Sequence, residues 1–218
     1  MIQLHDIGFG YPGRSPLFEG LRFQLFRGDR VGLTGPNGSG KTTLFHLIMG
    51  LVKPCSGGVE IFGRFLQKER DFRPVRQRIG LLFQEADDQL FCPTVLEDVA
   101  FGPLNKGKSP REARDLTREI LGRLGLAGFE NRITHQLSGG EKRMVSLAAV
   151  LAMEPEILLL DEPTSGLDDR KRGKFKEVLL DLDLTYMLIS HERDFLAQTT
   201  RTLYAIERGK MVRVHSRE

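Results

Sequence analysis

A glycine-rich loop near the N-terminus, Gly35–Thr42 with the sequence GPNGSGKT, limits the folds open to this chain. It fits the pattern G-x-x-x-x-G-K-[ST], in which glycines let several backbone N–H groups face one anion. The loop follows a predicted strand, Arg30 to Thr34, and precedes a helix predicted to begin near Lys41. Because the N-terminus of that helix adds partial positive charge at the same point, the pattern predicts a polyphosphate site on a strand–loop–helix unit.

Two side chains of this loop have predicted roles of their own. Lys41 is placed to reach the β- and γ-phosphates, and the Thr42 hydroxyl is of the kind that coordinates Mg²⁺ beside them. A plain glycine turn before a helix would need neither side chain. The other residues predicted to contact the polyphosphate are Gly35, Pro36, Asn37, Gly38, Ser39, Gly40 and Thr43.

The composition suits one large domain, which we place at residues 1–218. The formal charge of +3 is spread along the chain and indicates neither a nucleic-acid nor an acidic-membrane partner. No run approaches a membrane span, and the N-terminus does not resemble a signal peptide. Two cysteines far apart, Cys55 and Cys92, fit a reducing cytoplasm and predict ordinary packed thiols.

Short apolar runs alternate with helical patterns, which predicts an α/β fold with a mainly parallel sheet flanked by helices. An antiparallel β subdomain is predicted at the N-terminus, and an inserted helical subdomain at about residues 84–150. The predicted strands are Ile2 to Phe9, Leu21 to Phe26, Val31 to Thr34, Val59 to Phe62, Ile79 to Phe83, Ile157 to Leu160, Tyr186 to Ser190 and Leu203 to Ile206. The predicted helices are Lys41 to Met49, Pro110 to Leu124, Gly139 to Met153, Lys171 to Leu180 and Glu192 to Ala197, with a loop from Gly102 to Pro110.

Two adjacent carboxylates, Asp161 and Glu162, end the apolar run Ile157–Leu160. Period-two alternation sends neighbouring side chains to opposite sides, so we expect different roles for them. Asp161 suits a Mg²⁺ ligand, direct or through water, and Glu162 suits a base that polarises attacking water. A solvated acidic pair at a strand end is the alternative.

A third motif, LSGGE at Leu137–Glu141, opens a predicted helix. Ser138 is a good N-cap, and Gly139 and Gly140 would expose the helix N-terminus to an anion, although alone this could be only a capped helix start. Together with GPNGSGKTT and LLLDEPTSGLD at these separations, it closely resembles the signature motif of ATP-binding-cassette (ABC) ATPases. The resemblance covers nearly the whole chain. It implies a P-loop NTPase fold with the signature on the helical subdomain, and ATP as substrate.

The resemblance also implies roles for four further residues. Tyr11 falls where the family places an aromatic side chain on adenine, with Phe9 as a possible substitute, and Gln84 falls at the Gln loop, which senses Mg²⁺. Asp168 matches the D-loop at a dimer contact, and His191 matches the switch histidine near the γ-phosphate. The chain departs from the family at Glu141, where Gln is commoner and where we expect a helix cap, and at Glu192, where Asp is commoner. The remaining histidines, which lack metal-ligand spacing, are His5, His46, His135 and His215.

In this family two cassettes meet head to tail around ATP. The resemblance therefore implies a second ABC ATPase copy, identical or paralogous, with catalysis by Gln84, Glu162 and His191 and the signature Ser138–Gly140 supplied by the partner. Thr42, Gln84 and Asp161 would hold Mg²⁺.

The segment Phe83–Pro103, FQEADDQLFCPTVLEDVAFGP, is similar to that of cobalt/nickel and vitamin importers of the energy-coupling-factor type. This likeness implies integral membrane subunits and a substrate-binding membrane component as partners, no nucleic acid, and a peripheral location on the cytoplasmic face of the membrane. Exposed apolar residues such as Leu90, Phe91 and Val95 are predicted to contact the membrane subunit. A cobalt or nickel ion is the favoured cargo and a vitamin the next; a soluble ABC protein acting on nucleic acid or ribosomes remains the alternative class, and a nucleotide kinase a weaker one.

Overall fold

The computed structural model describes residues 1–214, which divide into two compact units. The first comprises Met1–Arg76 and the chain from Leu184 onward, and the second comprises Gln77–Asp183. No helix within residues 1–214 is long and apolar enough to cross a membrane. The strands are β1 (Ile2–Phe9), β2 (Phe18–Leu25), β3 (Arg30–Thr34), β4 (Ser56–Ile61), β5 (Arg64–Leu66), β6 (Ile79–Leu82), β7 (Ile157–Asp161), β8 (Thr185–Ile189), β9 (Thr202–Glu207) and β10 (Lys210–Val214). The helices are α1 (Lys41–Ile48), α2 (Glu69–Arg76), α3 (Val95–Asn105), α4 (Pro110–Arg123), α5 (Gly139–Ala152), α6 (Asp169–Asp181) and α7 (Arg193–Thr199).

The first unit contains an antiparallel sheet in the order β2-β1-β4-β5. Along β1 the buried residues alternate with more exposed ones at Ile2 and Leu4 and again at Ile7 and Phe9, with an irregular register between Leu4 and Ile7. On either side of that irregularity, the period of two lets one face of the sheet pack inward while the other meets solvent. The predicted N-terminal antiparallel subdomain is therefore confirmed.

A second set of strands in the first unit has the order β10-β9-β3-β8. Strand β3 runs parallel to both β8 and β9, with Leu33 opposite Ile189 and Thr34 opposite Ala205. Strands β3 and β8 are almost completely buried, as expected for parallel strands covered on both faces. Because they are parallel, the residues that follow β3 and β8 leave the sheet at the same edge.

The second unit combines a parallel strand pair with the helices between its strands. Strands β6 and β7 pair with Leu82 opposite Leu160, so their carboxyl ends also share an edge. Helices α3, α4 and α5 pack on one another around fully buried side chains such as Val99, Leu121 and Val145. Together with the strand pairs of the first unit, this arrangement confirms the predicted α/β class with a helical insert.

Each of these three helices begins with a capping box, in which a Ser or Thr and the Glu three residues later satisfy each other's backbone N–H groups. The pairs are Thr94 with Glu97, Ser109 with Glu112 and Ser138 with Glu141. The sequence pattern S/T-x-x-E therefore fixes where all three helices start.

Two expectations were wrong in this unit. Gly102 and Pro103 belong to α3 and not to a loop, since Pro103 lies in its last turns and Lys106 N still donates to the Gly102 carbonyl at 3.0 Å. Gly102 is also packed, because a Cβ there would lie 2.5 Å from Met153 Cγ. Val95 is completely buried, so it belongs to the core and not to an exposed apolar surface.

Candidate active site

The loop after β3 adopts backbone conformations that require glycine. Gly38 and Gly40 have φ angles of 78° and 101°, in the left-handed region that side chains rarely adopt. A Cβ on Gly40 would lie 2.6 Å from Phe18 Cζ, so the loop can approach its neighbours only without a side chain. Gly40 is the N-cap of α1 and offers no side-chain hydrogen bond, which leaves the first N–H groups of that helix available to an anion.

The side chains of this loop fit a polyphosphate. Lys41 is 8% exposed and folds back over the loop, where its Nζ donates to the carbonyls of Gly35 at 2.8 Å and Pro36 at 3.2 Å. Ser39 Oγ is buried and has no hydrogen-bond partner within residues 1–214. A buried hydroxyl without a partner is costly, and a phosphate oxygen would satisfy it. The remaining loop residues Pro36, Asn37 and Gly38 are exposed.

Tyr11 lies close to this loop, in the turn after β1. Its hydroxyl is 3.2 Å from the hydroxyl of Thr43, and its ring contacts Phe9 edge to face with centroids 5.0 Å apart. Tyr11 is 39% exposed whereas Phe9 is 7% exposed. Of the two aromatics considered from the sequence, Tyr11 is therefore the one that a ligand could reach.

His191 lies at the same sheet edge of the first unit as the glycine loop. It comes two residues after the end of β8, and its side chain is exposed. The buried Ser190 before it accepts a hydrogen bond from Glu192 N at 3.0 Å, which fixes the turn into α7. The parallel register of β3 and β8 thus brings the residues that follow the two strands, Gly35 and His191, to one edge.

In the second unit, the two predicted carboxylates and Gln84 come to one edge. Asp161 is the last residue of β7 and is 3% exposed, and Glu162 follows it. Gln84 lies two residues after the end of β6 and is exposed. Glu162 has a φ angle of 45°, a conformation that costs a non-glycine residue about 1–3 kcal/mol. Such strain concentrates at functional positions, where the direction of one side chain matters more than stability.

The predicted signature motif forms an exposed helix start. Ser138 and Gly139 are exposed, and Gly140 is buried with its Cβ position 3.3 Å from the Gly166 carbonyl oxygen. Glu141 caps the helix as predicted, because its carboxylate accepts from Ser138 N at 2.8 Å and Ser138 Oγ at 2.7 Å. These hydrogen bonds hold the pKa of Glu141 below its ordinary value.

Asp168, predicted at a dimer contact, is the N-cap of α6. It accepts from Lys171 N at 2.8 Å and Lys171 Nζ at 2.6 Å, and these hydrogen bonds lower its pKa. Its side chain is exposed, so capping leaves the residue accessible.

Two buried charged residues escaped the sequence reasoning. Arg143, on α5, donates through its guanidinium to the carbonyls of Phe83 and Gln84. Asp98, on α3, accepts from the backbone N–H groups of Phe91 and Cys92. The sequence does show a charged residue inside an apolar helical pattern at both positions, which indicates that the charge is buried. That pattern does not show which backbone groups the charge hydrogen-bonds.

Within residues 1–214, no group of three or more His, Cys, Asp or Glu side chains is arranged to hold a metal. Of the four histidines without metal-ligand spacing in the sequence, His5, His46 and His135 lie within the described residues and His215 lies outside them. A hydroxyl, an amide and a single carboxylate, as in Thr42, Gln84 and Asp161, are oxygen ligands that suit Mg²⁺ when phosphate oxygens complete the shell.

Known proteins are similar to this chain in both sequence and fold. A sequence profile described as ABC transporter matches residues 18–165. An inferred ABC transporter ATP-binding protein of Nitratidesulfovibrio vulgaris is 52% identical over 96% of this chain and 77% of that protein. The energy-coupling factor transporter ATP-binding protein EcfA of Methanothermobacter thermautotrophicus is 42% identical, over 97% of this chain and 70% of its own length.

Solved structures of ABC ATPases have the same fold as this chain. Among them is cbiO1 from Clostridium perfringens, part of the ABC transporter complex cbiONQ, with a TM-score of 0.85 at 30% identity over 97% of this chain and 86% of that chain. Another is an ATP-binding cassette solved as a dimer in a post-hydrolysis state with ADP and phosphate, with a TM-score of 0.90 at 26% identity over all of both chains. This chain therefore belongs to the ABC transporter family, has the P-loop fold of its ATPases, and binds and hydrolyses ATP.

Proposed function

We propose that this chain is the nucleotide-binding subunit of a membrane importer, and that two copies, or one copy and a paralogue, close around ATP. The observation that carries this proposal is the exposed, glycine-rich start of α5 in a chain that already has a complete phosphate loop. The phosphate loop already binds the phosphates of one nucleotide. A second anion-binding helix start therefore serves a nucleotide that is bound by another cassette. The dimeric cassette with ADP and phosphate supports this arrangement.

Within the proposed site, the loop residues Gly35 to Thr43 bind the phosphates and Tyr11 stacks on adenine. Glu162 accepts a hydrogen bond from the attacking water and then takes its proton. The water oxygen forms a bond to the γ-phosphorus as the bond between that phosphorus and the bridging oxygen of ADP breaks. His191 contacts the γ-phosphate, and Asp168 contacts the second cassette. Since phosphoryl transfer depends mainly on positioning and charge neutralisation, a site completed by Ser138–Gly140 of the other copy hydrolyses ATP only when closed.

We further propose Mg²⁺ as the cofactor, held by Thr42, Gln84 and Asp161. The burial of Asp161 and the oxygen chemistry of all three residues support this choice. When bound, Mg²⁺ would neutralise charge on the phosphate oxygens.

The importer assignment is supported by relatives named energy-coupling factor transporter ATP-binding protein and by the structural relative from cbiONQ. An exposed apolar cluster within Phe83–Pro103 supports it as well. Phe91 and Phe101 are 68% and 47% exposed and contact each other edge to face with centroids 4.9 Å apart. We propose that this cluster, with the partly exposed Leu90, receives the cytoplasmic part of an integral membrane subunit, which places the chain at the cytoplasmic face of the membrane.

The proposed cargo is a cobalt or nickel ion, and a vitamin or other small solute is the alternative. The support is the resemblance of Phe83–Pro103 to the corresponding segment of cobalt/nickel and vitamin importers of the energy-coupling-factor type. We also propose that residues 1–218 form one ATPase domain, with its helical subdomain at about residues 84–150.

The first experiment tests dimerisation through Glu162→Gln, which removes the base while leaving the phosphate loop intact. With ATP, this variant should bind nucleotide, hardly turn it over, and elute from size exclusion as a dimer. The nucleotide-free variant, run in parallel as the control, should be monomeric. A strictly monomeric variant under every condition, alone and with its membrane partners, would refute the closed dimer.

The second experiment identifies the partners by pull-down from detergent-solubilised membranes, with Phe91→Ser as the matched control. We expect integral membrane subunits with the native chain and fewer with the variant. If no membrane protein is recovered and ATPase activity responds instead to DNA or ribosomes, the importer assignment is wrong. Uptake of radioactive cobalt or nickel is then measured in cells that express this chain together with the recovered membrane subunits, which tests the proposed cargo.

A further inference from the structure

Arg143 is a buried cation in the second unit, on the first turns of α5. It is 5% exposed, and its two terminal nitrogens donate to consecutive main-chain carbonyls, those of Phe83 and Gln84. A planar guanidinium can hold two neighbouring acceptors in fixed directions, which an ammonium cannot do. Helix α5, which Ser138 caps, is therefore bound directly to the main chain at Phe83 and Gln84.

Gln89 adds a second connection between the same two segments. Its Oε1 accepts from Phe83 N at 3.2 Å, and its Nε2 donates to the Ser146 carbonyl at 3.5 Å and the Leu81 carbonyl at 3.3 Å. Because Arg143 and Ser146 lie three residues apart, they share one face of α5. The segment from Phe83 to Gln89 thus lies against one turn of that helix with bonds at both ends.

A charge in this position is costly to the fold. Burial lowers the pKa of Arg143 below its ordinary value, and the carboxylates of Glu85, Asp161 and Glu162 act in the opposite direction. An apolar side chain of similar volume would avoid that desolvation but would leave the carbonyls of Phe83 and Gln84 without this donor. The two directed bonds, and not the buried charge itself, therefore account for an arginine here.

We propose that Arg143 is a positioning residue that fixes the main chain at Gln84 relative to the signature helix, so that the Gln84 side chain and Ser138–Gly140 move as one body. This inference rests on the proposed roles of Gln84 and the signature in hydrolysis. It predicts that loss of the guanidinium lowers turnover while leaving the phosphate loop of the first unit, and hence nucleotide affinity, as they are.

The test compares Arg143→Met, which keeps volume without charge, with Arg143→Lys and with Lys142→Met. Lys142 is the matched control, since it is the adjacent cation on α5 and contacts the same segment through an ion pair with the exposed Asp87 at 2.5 Å. Exposed ion pairs contribute little. Each variant is measured for ATP affinity, kcat, KM, and hydrogen–deuterium exchange of the backbone amides at residues 83–91.

For Arg143→Met we expect kcat to fall about tenfold to a hundredfold, as for other groups that orient a ligand-bearing residue, with ATP affinity within about twofold. Exchange at residues 83–91 should rise about tenfold or more, while Lys142→Met stays close to the native protein in both measurements. Arg143→Lys should lie between the two, because one ammonium can serve the carbonyls only in part.

Native values of both kcat and exchange in Arg143→Met would overturn the proposal. If that variant does not fold, Arg143→Lys decides: reduced kcat with exchange raised only at residues 83–91 supports the proposal, and native values of both overturn it. Glu162→Gln, measured alongside, distinguishes a failure of the proposed catalytic site from a failure of the proposed role of Arg143. Full activity of Glu162→Gln would refute the proposed catalytic site, whereas its inactivity beside a fully active Arg143→Met would refute only the role of Arg143.

Discussion

Replacing Asp98 by alanine should destabilise the protein because this buried carboxylate serves three donors. Its Oδ1 accepts from Phe91 N at 3.0 Å and Cys92 N at 2.9 Å, and its Oδ2 accepts from Thr134 Oγ1 at 3.2 Å. Asp98 and Thr134 are each 5% exposed. The carboxylate therefore joins the start of the exposed apolar cluster to the segment that precedes the signature.

The magnitude follows from what each donor loses. A hydrogen bond to a charged group contributes about 1.5–3 kcal/mol, and a buried donor without an acceptor costs about 1–3 kcal/mol. The Phe91 residue is exposed, so we expect its N–H to regain water, whereas the Thr134 hydroxyl stays buried. For Asp98→Ala we expect a loss of about 3 kcal/mol in the free energy of unfolding. Asp98→Asn keeps one oxygen for the two backbone donors and should cost about half as much.

Urea unfolding followed by circular dichroism measures this loss, because the chain has no tryptophan to report by fluorescence. Asp88→Ala is the control: Asp88 is an exposed carboxylate of the preceding segment and should change stability by less than about 0.5 kcal/mol. If Asp98→Ala costs less than about 1 kcal/mol at an unchanged m-value, the three bonds do not hold these segments together.

Three further predictions concern binding, reactivity and the signature. Lys41→Ala should weaken ATP binding or hydrolysis in a nucleotide titration and a phosphate-release assay, because the phosphates lose their ammonium partner. Burial, with Asp98 nearby, raises the pKa of Cys92 to about 11. The rate of its alkylation by iodoacetamide, followed by mass spectrometry, should therefore keep rising about tenfold per pH unit until about pH 11. Cys55 should react first, because it is exposed and not packed as the sequence predicted. Glu141→Gln should let the ATP-bound dimer form at about two- to fivefold lower ATP concentration in light scattering, because it removes a negative charge from a helix start offered to phosphate.

Each of these three predictions has a result that would contradict it. Native ATP binding and turnover in Lys41→Ala would remove Lys41 from the phosphate site. Alkylation of Cys92 that levels off near pH 9 would show that the thiol is not shielded. A dimer of Glu141→Gln that needs more ATP than the native chain would mean that the carboxylate acts mainly as a helix cap. As the pH falls from the ordinary pKa of a glutamate to the lowered pKa of Glu141 in the folded chain, the stabilisation by this cap should be lost, because the unfolded chain takes up the proton first.

Local patterns predicted the elements that carry the site. Strand β3 and the start of α1 were predicted correctly because apolar runs and glycine positions are local signals. Gly102 and Pro103 were predicted to lie in a loop because both residue types favour turns. They lie in α3 instead, where packing of Gly102 against Met153 outweighs that local preference. Strand β10 was not predicted, because its side chains are mostly exposed and its pairing with β9 is set by the turn between them.

Parts of the site could not be predicted because they depend on long-range contacts. The sequence identifies Gln84 by its motif, but nothing local connects it to Arg143, which lies 59 residues further along the chain. Val95 looked like a surface residue within an apolar segment, and only the packing of α3 shows that it is buried. Residue types and motif spacing thus predict the chemistry, whereas burial and backbone contacts depend on tertiary structure.

The backbone at Glu162 has a consequence for how this chain can lose activity. A residue with a φ angle of 45° is strained unless it is glycine, so Glu162→Gly would relieve strain while deleting the carboxylate. Selection for folding alone, without selection for ATP turnover, would therefore favour an inactive cassette by a single codon change at this position. A duplicated copy freed from hydrolysis has an easy route to becoming a stable, nucleotide-binding but silent partner of the active one.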